Sequence, residues 1–164
     1  MSEIRALRED EWSLLRELRL RALRDSPDAF SPLAEDVARE ADDYWQRGAR
    51  SFASPHAALL IAERDGRAVG LVSATAAAGT GYIGAMWLEP AARGSGLGRA
   101  LLDAACAKLR ERGCGRLALT VTETNAAAIQ LYQSAGFALT GESKPLRPGS
   151  PLRNLEMVAT SESA

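Results

Sequence analysis

The sequence predicts an α/β fold, a central mixed sheet of about six to seven strands flanked by about four helices. Three observations predict it. Apolar runs of strand length alternate with segments whose apolar residues recur at helical spacing. Two of the runs are joined through Asp65-Gly66, a pair suited to an antiparallel hairpin turn. Residues 82–122 read strand, glycine-rich turn, helix, strand, which sets 116–122 as an interior strand beside 83–88.

Each element has its own signal. Residues 3–7 form a short first strand, and Asp10 caps a helix over 11–23 in which Trp12, Leu15, Leu18 and Ala22 share a face. Ser26-Pro27 ends that helix. Ser31-Pro32 then opens another toward Arg39, with a capping serine and a proline at the first helical position, and a further turn follows at 42–47. Residues 57–62 and 68–74 are the hairpin strands, 77–81 is a flexible link and 83–88 is the central strand. In the next helix Leu97, Leu101, Ala105 and Leu109 make one apolar stripe, ended by Gly113. After strand 116–122, Asn125 caps a helix that stops before Gly136, and 137–139 and 152–158 supply the last strands. No repeat, low-complexity segment or linker interrupts the chain, so 1–164 reads as one domain with a loose tail at 160–164.

Composition narrows the classes of function. With 46% apolar and 25% charged residues among 164, the chain suits one globular domain with a real core. Twenty basic against twenty-one acidic residues give a net charge of −1, so no global field gathers nucleic acid or an anionic membrane. Cys106 falls within a helix and Cys114 in the Gly113-Cys114-Gly115 turn, a pattern of reduced thiols rather than of a disulfide framework or metal cluster. The first residues lack the apolar core of a signal peptide, and no apolar run approaches the about 20 residues that span a bilayer. A cytoplasmic protein is expected.

The most informative run is Arg93-Gly94-Ser95-Gly96-Leu97-Gly98-Arg99, between the central strand and the next helix. Glycines at alternate positions let the backbone turn tightly and aim several N–H groups at one anion, and the helix start adds its positive dipole end. Arg93 and Arg99 are a small basic patch suited to a compact polyphosphate. A Walker A loop is excluded because no Gly-Lys-Ser/Thr closes the run, and a dinucleotide fingerprint because Arg99 stands where its third glycine belongs. A tight strand-to-helix connection, with glycines needed only for their φ angles, is the alternative reading of the run by itself.

The surrounding residues carry a resemblance. Leu88-Glu89-Pro90-Ala91-Ala92-Arg93-Gly94-Ser95-Gly96-Leu97-Gly98 resembles the acyl-CoA pyrophosphate motif of the GNAT superfamily of N-acetyltransferases, Arg/Gln-x-x-Gly-x-Gly/Ala, with Arg93, Gly96 and Gly98 in its defined places. Asn125-Ala126-Ala127-Ala128-Ile129-Gln130-Leu131-Tyr132-Gln133-Ser134-Ala135-Gly136-Phe137 is similar to the later helix of that family, Asn-x-x-Ala-x-x-x-Tyr-x-x-x-Gly-Phe. Residues 19–30 resemble the first helix and following loop of many small members. The likeness spans nearly the whole chain.

The resemblance implies a GNAT-like fold in which the central strand around Met86, Trp87 and Leu88 splays from 117–121, leaving a V-shaped gap where pantetheine pairs with backbone. It implies acetyl-CoA as co-substrate, with no metal. Its pyrophosphate would lie on the backbone of Arg93, Gly94, Ser95, Gly96, Leu97, Gly98 and Arg99, where a Cβ at the glycines obstructs it, and Asn125 and Ala128 would border the cofactor. Tyr132 aligns with the tyrosine that protonates the departing thiolate; the alternative for such a residue is core packing with a satisfied hydroxyl. The implied reaction is direct acetyl transfer to a primary amine of a small molecule or peptide. A non-catalytic acyl-CoA-binding regulatory domain is the second reading, and an interaction module without CoA is the third. Small members occur as monomers and homodimers.

The general base is not carried over, because members use differently placed carboxylates or ordered waters. The central strand lacks the glutamate some carry there, which leaves Glu123 at the end of the next strand, against its reading as a solvated strand-end carboxylate. His56 follows Ser54-Pro55 in an expected loop, and Tyr82 is either a holder of water or a packed strand aromatic. Asn125 is explained fully as an N-cap. Trp12 and Trp87 read as core, and Trp45 is undetermined. Relatives place the acceptor between the first two helices and a late hairpin, here 26–31 and 144–151, where Arg147 and Arg153 are the cations available to a carboxylate.

Overall fold

Eight strands form one sheet in the computed structural model, which describes residues 1–160. They are β1 Ser2–Ala6, β2 Ala53–Ser54, β3 Ala57–Arg64, β4 Arg67–Ala77, β5 Thr80–Leu88, β6 Arg116–Thr122, β7 Ala138–Pro145 and β8 Arg153–Thr160. Their order is β1-β3-β4-β5-β6-β8-β7, with the two-residue β2 pairing β3 off that path. Only β5 and β6 pair in parallel. The helices are α1 Trp12–Asp25, α2 Ala34–Val37, α3 Asp42–Ser51, α4 Leu97–Glu111 and α5 Ala126–Ser134. The expected mixed α/β sheet is observed, with one strand more than expected because β2 is too short to show a period. The loose tail expected at 160–164 lies, from residue 161, outside the described residues.

Turn chemistry sets the meander. Asp65 and Gly66 take φ of 51° and 80°, the pair of positive angles that a two-residue hairpin with right-handed twist requires. Ala78 and Gly79 repeat it at 50° and 80°, so the segment expected to be a flexible link is a second tight hairpin. Its alanine hid it, since alanine seldom adopts positive φ.

Several helix ends differ from expectation. Glu11, not Asp10, precedes α1, and its carboxylate accepts the Arg8 N–H at 2.8 Å and both terminal nitrogens of Arg5 at 2.8 Å. The helix expected from Ser31 shrinks to the single turn α2, with Leu33 at its N-cap position and no side-chain cap. A late-loop guanidinium explains this: Arg147 donates to the carbonyls of Pro27 at 2.7 Å, Phe30 at 2.8 Å and Ser31 at 3.1 Å, fixing a 3₁₀ turn at Pro27–Ala29 and extended chain beyond. The turn expected at 42–47 is a full helix, α3, which buries Trp45 and Ala49.

α4 and α5 end alike. Beyond α4, Gly113 has φ of 85°, Cys114 N–H donates to Leu109 O and Gly113 N–H to Arg110 O, the paired bonds of a Schellman cap. Beyond α5, Gly136 has φ of 95°, Phe137 N–H donates to Tyr132 O and Gly136 N–H to Gln133 O. The rings of Tyr132 and Phe137 meet across this cap at 6.2 Å, the apolar contact that accompanies it. The spacing Tyr132 to Gly136-Phe137 is therefore a helix stop that fixes the tyrosine.

The sheet has a core on each face. Leu60, Ala62, Val72, Ala74 and Ile83 pack under α4 with Leu101, Leu102 and Leu109. Leu59, Ile61, Leu71 and Trp87 pack under α1 and α3 with Leu15, Leu18 and Trp45. β3 supplies both faces alternately, which is why 57–62 reads as an unbroken apolar run. β7 is exposed along its whole length, and beyond Leu139 its polar residues gave no strand signal.

Candidate active site

The sheet opens where parallel pairing stops. β5 and β6 pair from Thr80 with Arg116 to Ile83 with Leu119 and no further. Beyond that, β5 follows β4 to the pair Leu88 with Gly70, while β6 follows β8 to the pair Thr122 with Asn154. A bulge drives the separation: Ser73 pairs Gly84 and Leu71 pairs Trp87, so Ala85 and Met86 together oppose Val72. Ala85 takes φ of 51° there, a conformation that carries strain for a residue with a Cβ. The splay leaves a cleft of about 920 Å³.

Most of the predicted site residues line this cleft: Met86, Trp87, Leu88, Arg93, Gly94, Gly96, Gly98, Arg99, Asn125, Ala128 and Tyr132. Ser95 and Leu97 do not, since Ser95 Oγ donates to Ala92 O at 2.7 Å and Leu97 is buried in the core. Glu123 does not line it either. Its Oε1 accepts the Arg153 N–H at 3.1 Å on the β8 side, and the residue is exposed. His56 lies in an exposed turn, Tyr82 is about half exposed, and Trp12 and Trp45 pack in the α1–α3 core. Residues 26–31 line the cleft, but 144–151 brace them from outside through Arg147.

The glycine loop leaves space above its backbone. Gly94 and Gly96 have φ of 75° and 84°, and a Cβ built on either would meet nothing within 4 Å. Gly98 is different. It lies in the first turn of α4 without positive φ, and its Cβ would make only ordinary contact with Leu131 at 3.9 Å. Protein packing does not require glycine at 98. The neighbouring guanidiniums are engaged within the chain: Arg93 donates to Asp25 at 2.6 Å and to Leu88 O at 2.9 Å, and Arg99 to Asp103 at 2.9 Å and Ser134 Oγ at 3.2 Å. Backbone amides and the helix dipole are what the loop itself offers an anion.

Asp25 ties α1 to this loop. It accepts from the Trp87 indole at 2.9 Å, from Ser26 Oγ at 2.8 Å and from Arg93. The indole N–H leads these in holding the Asp25 carboxyl below its ordinary range. Across the cleft, Tyr132 is 8% exposed, and burial pushes its phenol up to about 12. Its hydroxyl makes no hydrogen bond among the described residues, and the residue lines the cleft as a protonated phenol. Asn125 Oδ1 accepts the Ala128 N–H at 3.3 Å, the cap expected of it.

Three further residues of the cleft carry little local signal. Arg19 stands within the buried side of α1, four residues after Leu15, and that position was the available hint. Asp28 is the one carboxylate among the lining residues, held in place by the Thr122 hydroxyl donating to its backbone O at 2.6 Å. Ala85 makes the bulge. Of the two cations expected near a carboxylate, Arg147 holds backbone carbonyls of 27–31 and Arg153 donates to Ser143 Oγ at 3.0 Å.

Among the described residues no three His, Cys, Asp or Glu side chains group to hold a metal, and no helix is long and apolar enough to cross a membrane. The chain matches the acetyltransferase (GNAT) family over residues 12–137. Mycothiol acetyltransferase of Thermobispora bispora is 38% identical over 136 residues, which cover 79% of this chain and 42% of that one. This chain thus spans less than half the length of the curated mycothiol acetyltransferases it matches. IAA acetyltransferase of Azospirillum brasilense is 31% identical over 135 residues, covering 76% of this chain and 88% of that one. Among solved structures, yncA of Salmonella typhimurium with its cofactor acetyl-CoA has the same fold, with a TM-score of 0.80 at 22% identity over 100% of this chain and 96% of that one.

Proposed function

The chain belongs to the acetyltransferase (GNAT) family, and from that premise we propose that it moves the acetyl group of acetyl-CoA directly to a primary amine. The observation that carries the reading is the cleft between β5 and β6, with an open glycine loop at one end and the Tyr132 hydroxyl in its wall. A cradle free of Cβ atoms at a helix start fits a pyrophosphate, and a splayed strand fits an extended pantetheine arm. Acetyl-CoA supplies an activated acyl carbon; the chain supplies binding, orientation and proton transfer.

In this reading the backbone of residues 93–99 holds the phosphates, Arg93 and Arg99 shape the loop, and Met86 to Leu88 border the arm. The amine forms a C–N bond to the carbonyl carbon as the C–S bond breaks. Tyr132 delivers its phenolic proton to the leaving sulfur; burial keeps the phenol protonated at neutral pH and also makes it a weaker acid, so the proton moves as the thiolate forms. The amine must shed a proton before attack, and Asp28 is the carboxylate the cleft offers for it. Glu123 is ranked second, because its carboxylate is occupied at the Arg153 amide.

The relatives carry different names, mycothiol acetyltransferase and IAA acetyltransferase, so their names do not converge on one acceptor for this chain. We treat 1–164 as one catalytic domain. Incubation with acetyl-CoA and a pool of amines, followed by mass spectrometry, tests the reading: acetylated amine is expected in proportion to CoA released. Acetyl-CoA that binds but yields no acetylated amine from any pool favours a regulatory acyl-CoA-binding domain instead.

A further inference from the structure

Four charged side chains line the cleft, and two are spoken for. Arg93 and Arg99 pair with Asp25 and Asp103. Arg19 and Asp28 make no ion pair among the described residues, and Arg19 Nη1 is buried without any hydrogen-bond partner. One cation and one anion without ion-pair partners thus line the same cleft, Arg19 half-buried and Asp28 exposed.

Arg19 also borders a second cavity of about 530 Å³, between α1, α3 and the β5 bulge, and Ala85 is the other residue common to both spaces. Leu15, Trp45, Phe52 and Leu59 make that cavity mainly apolar. The Trp45 indole N–H, in the same wall, is likewise buried without a partner. Nothing acidic lines this second space. The guanidinium lies 5.0 Å from the Phe30 ring, a contact that holds it in position without using its N–H donors. Burial lowers the Arg19 pKa from its ordinary value, partly opposed by Tyr44. A buried guanidinium in this state gains from any carboxylate brought to it.

We propose that the acceptor is a zwitterionic amino acid with an apolar side chain, its carboxylate on Arg19, its ammonium at Asp28 and its side chain in the cavity walled by Trp45 and Phe52. This rests on the acetyl-transfer reading and adds the acceptor class to it. Arg19 is a specificity residue here, and Asp28 binds the amine before it reacts.

The test compares leucine, phenylalanine and tryptophan with their carboxamides as acceptors at saturating acetyl-CoA. The amide's amine loses its proton more readily, so intrinsic reactivity favours the amide. A carboxylate contact reverses this, with kcat/KM for at least one acid about tenfold or more above its amide. Arg19→Met collapses that ratio, mainly through KM for the acid, whereas Arg19→Lys restores part of it. Asp28→Asn weakens acid and amide together and leaves the ratio in place. Thermal protection by acetyl-CoA reports that each variant is folded. The proposal is overturned if acids are used no better than amides, if Arg19→Met keeps the preference, or if no acid turns over while acetyl-CoA still protects. Acetyl-CoA that gives no protection to the wild type would instead remove the acetyl-transfer reading on which it stands.

Discussion

Replacing Gly98 by alanine separates what the protein needs at that position from what its ligand needs. Gly98 sits in the first turn of α4, lacks positive φ and has room for a Cβ, with Leu131 Cδ2 at 3.9 Å. In the unbound protein Gly98→Ala therefore stabilises by about 0.5–1 kcal/mol, since alanine loses less backbone entropy in a helix. For a chain of this size that is a Tm higher by roughly 1–4 °C. With acetyl-CoA the sign reverses if phosphates pass over residue 98, because the same Cβ occupies their path. A Kd raised about 100-fold removes about 2.3 kcal/mol of ligand stabilisation at a concentration of 100 times the wild-type Kd. Gly96→Ala is the internal contrast: with φ of 84° it loses about 1–2 kcal/mol before any ligand is added. Thermal unfolding followed by fluorescence, with and without acetyl-CoA, reads all of these. A Gly98→Ala variant that is stabilised alone and protected by acetyl-CoA as fully as the wild type would refute the cradle.

Two further outcomes follow from the site's hydrogen bonds and titrations. Asp25→Ala leaves the buried Trp87 indole without its acceptor and frees Arg93; a loss of about 1–2 kcal/mol in denaturant unfolding is expected, allowing for solvent around the carboxylate. Because the folded carboxyl has a lowered pKa, this advantage is complete above about pH 4 and fades as pH falls through the folded value, so a gap between wild type and variant that stays constant into acid contradicts it. Tyr132, with its phenol raised to about 12, keeps its proton where an ordinary tyrosine would lose it. Its contribution to stability is full below about pH 10 and is lost between about 10 and 12, and kcat shows no falling limb from this group below about pH 11. A falling limb near pH 10 that the residual rate of Tyr132→Phe lacks would contradict the burial.

What could be read from the sequence is what neighbours in the chain enforce. The glycine loop, the Asn125 cap and the Gly113 and Gly136 stops depend on residues within a few positions, and each stands where its local chemistry puts it. The alternation of β3 between two cores likewise appears as an apolar run. The errors share the opposite cause. Arg147 reshapes the Ser31 region from more than a hundred residues away, and Asp25 captures Trp87 and Arg93, 62 and 68 residues along the chain. The guanidiniums beside the glycine loop, Arg93 and Arg99, also have intrachain partners that spacing does not show. Arg19 and Asp28 are the converse case, since their lack of ion-pair partners among the described residues is visible only once every other charge in the cleft has been placed.

The most direct test of acetyl transfer through this cleft is the release of free CoA thiol from acetyl-CoA, with and without amines, in wild type and Tyr132→Phe. The account predicts release that requires an amine and falls by a factor on the order of 100 in the variant, while acetyl-CoA protects both proteins against unfolding. Amine-dependent release at the same chemistry-limited rate in Tyr132→Phe would contradict the assignment of the leaving-group proton to this phenol, and no release from a wild type that binds acetyl-CoA would contradict the activity itself.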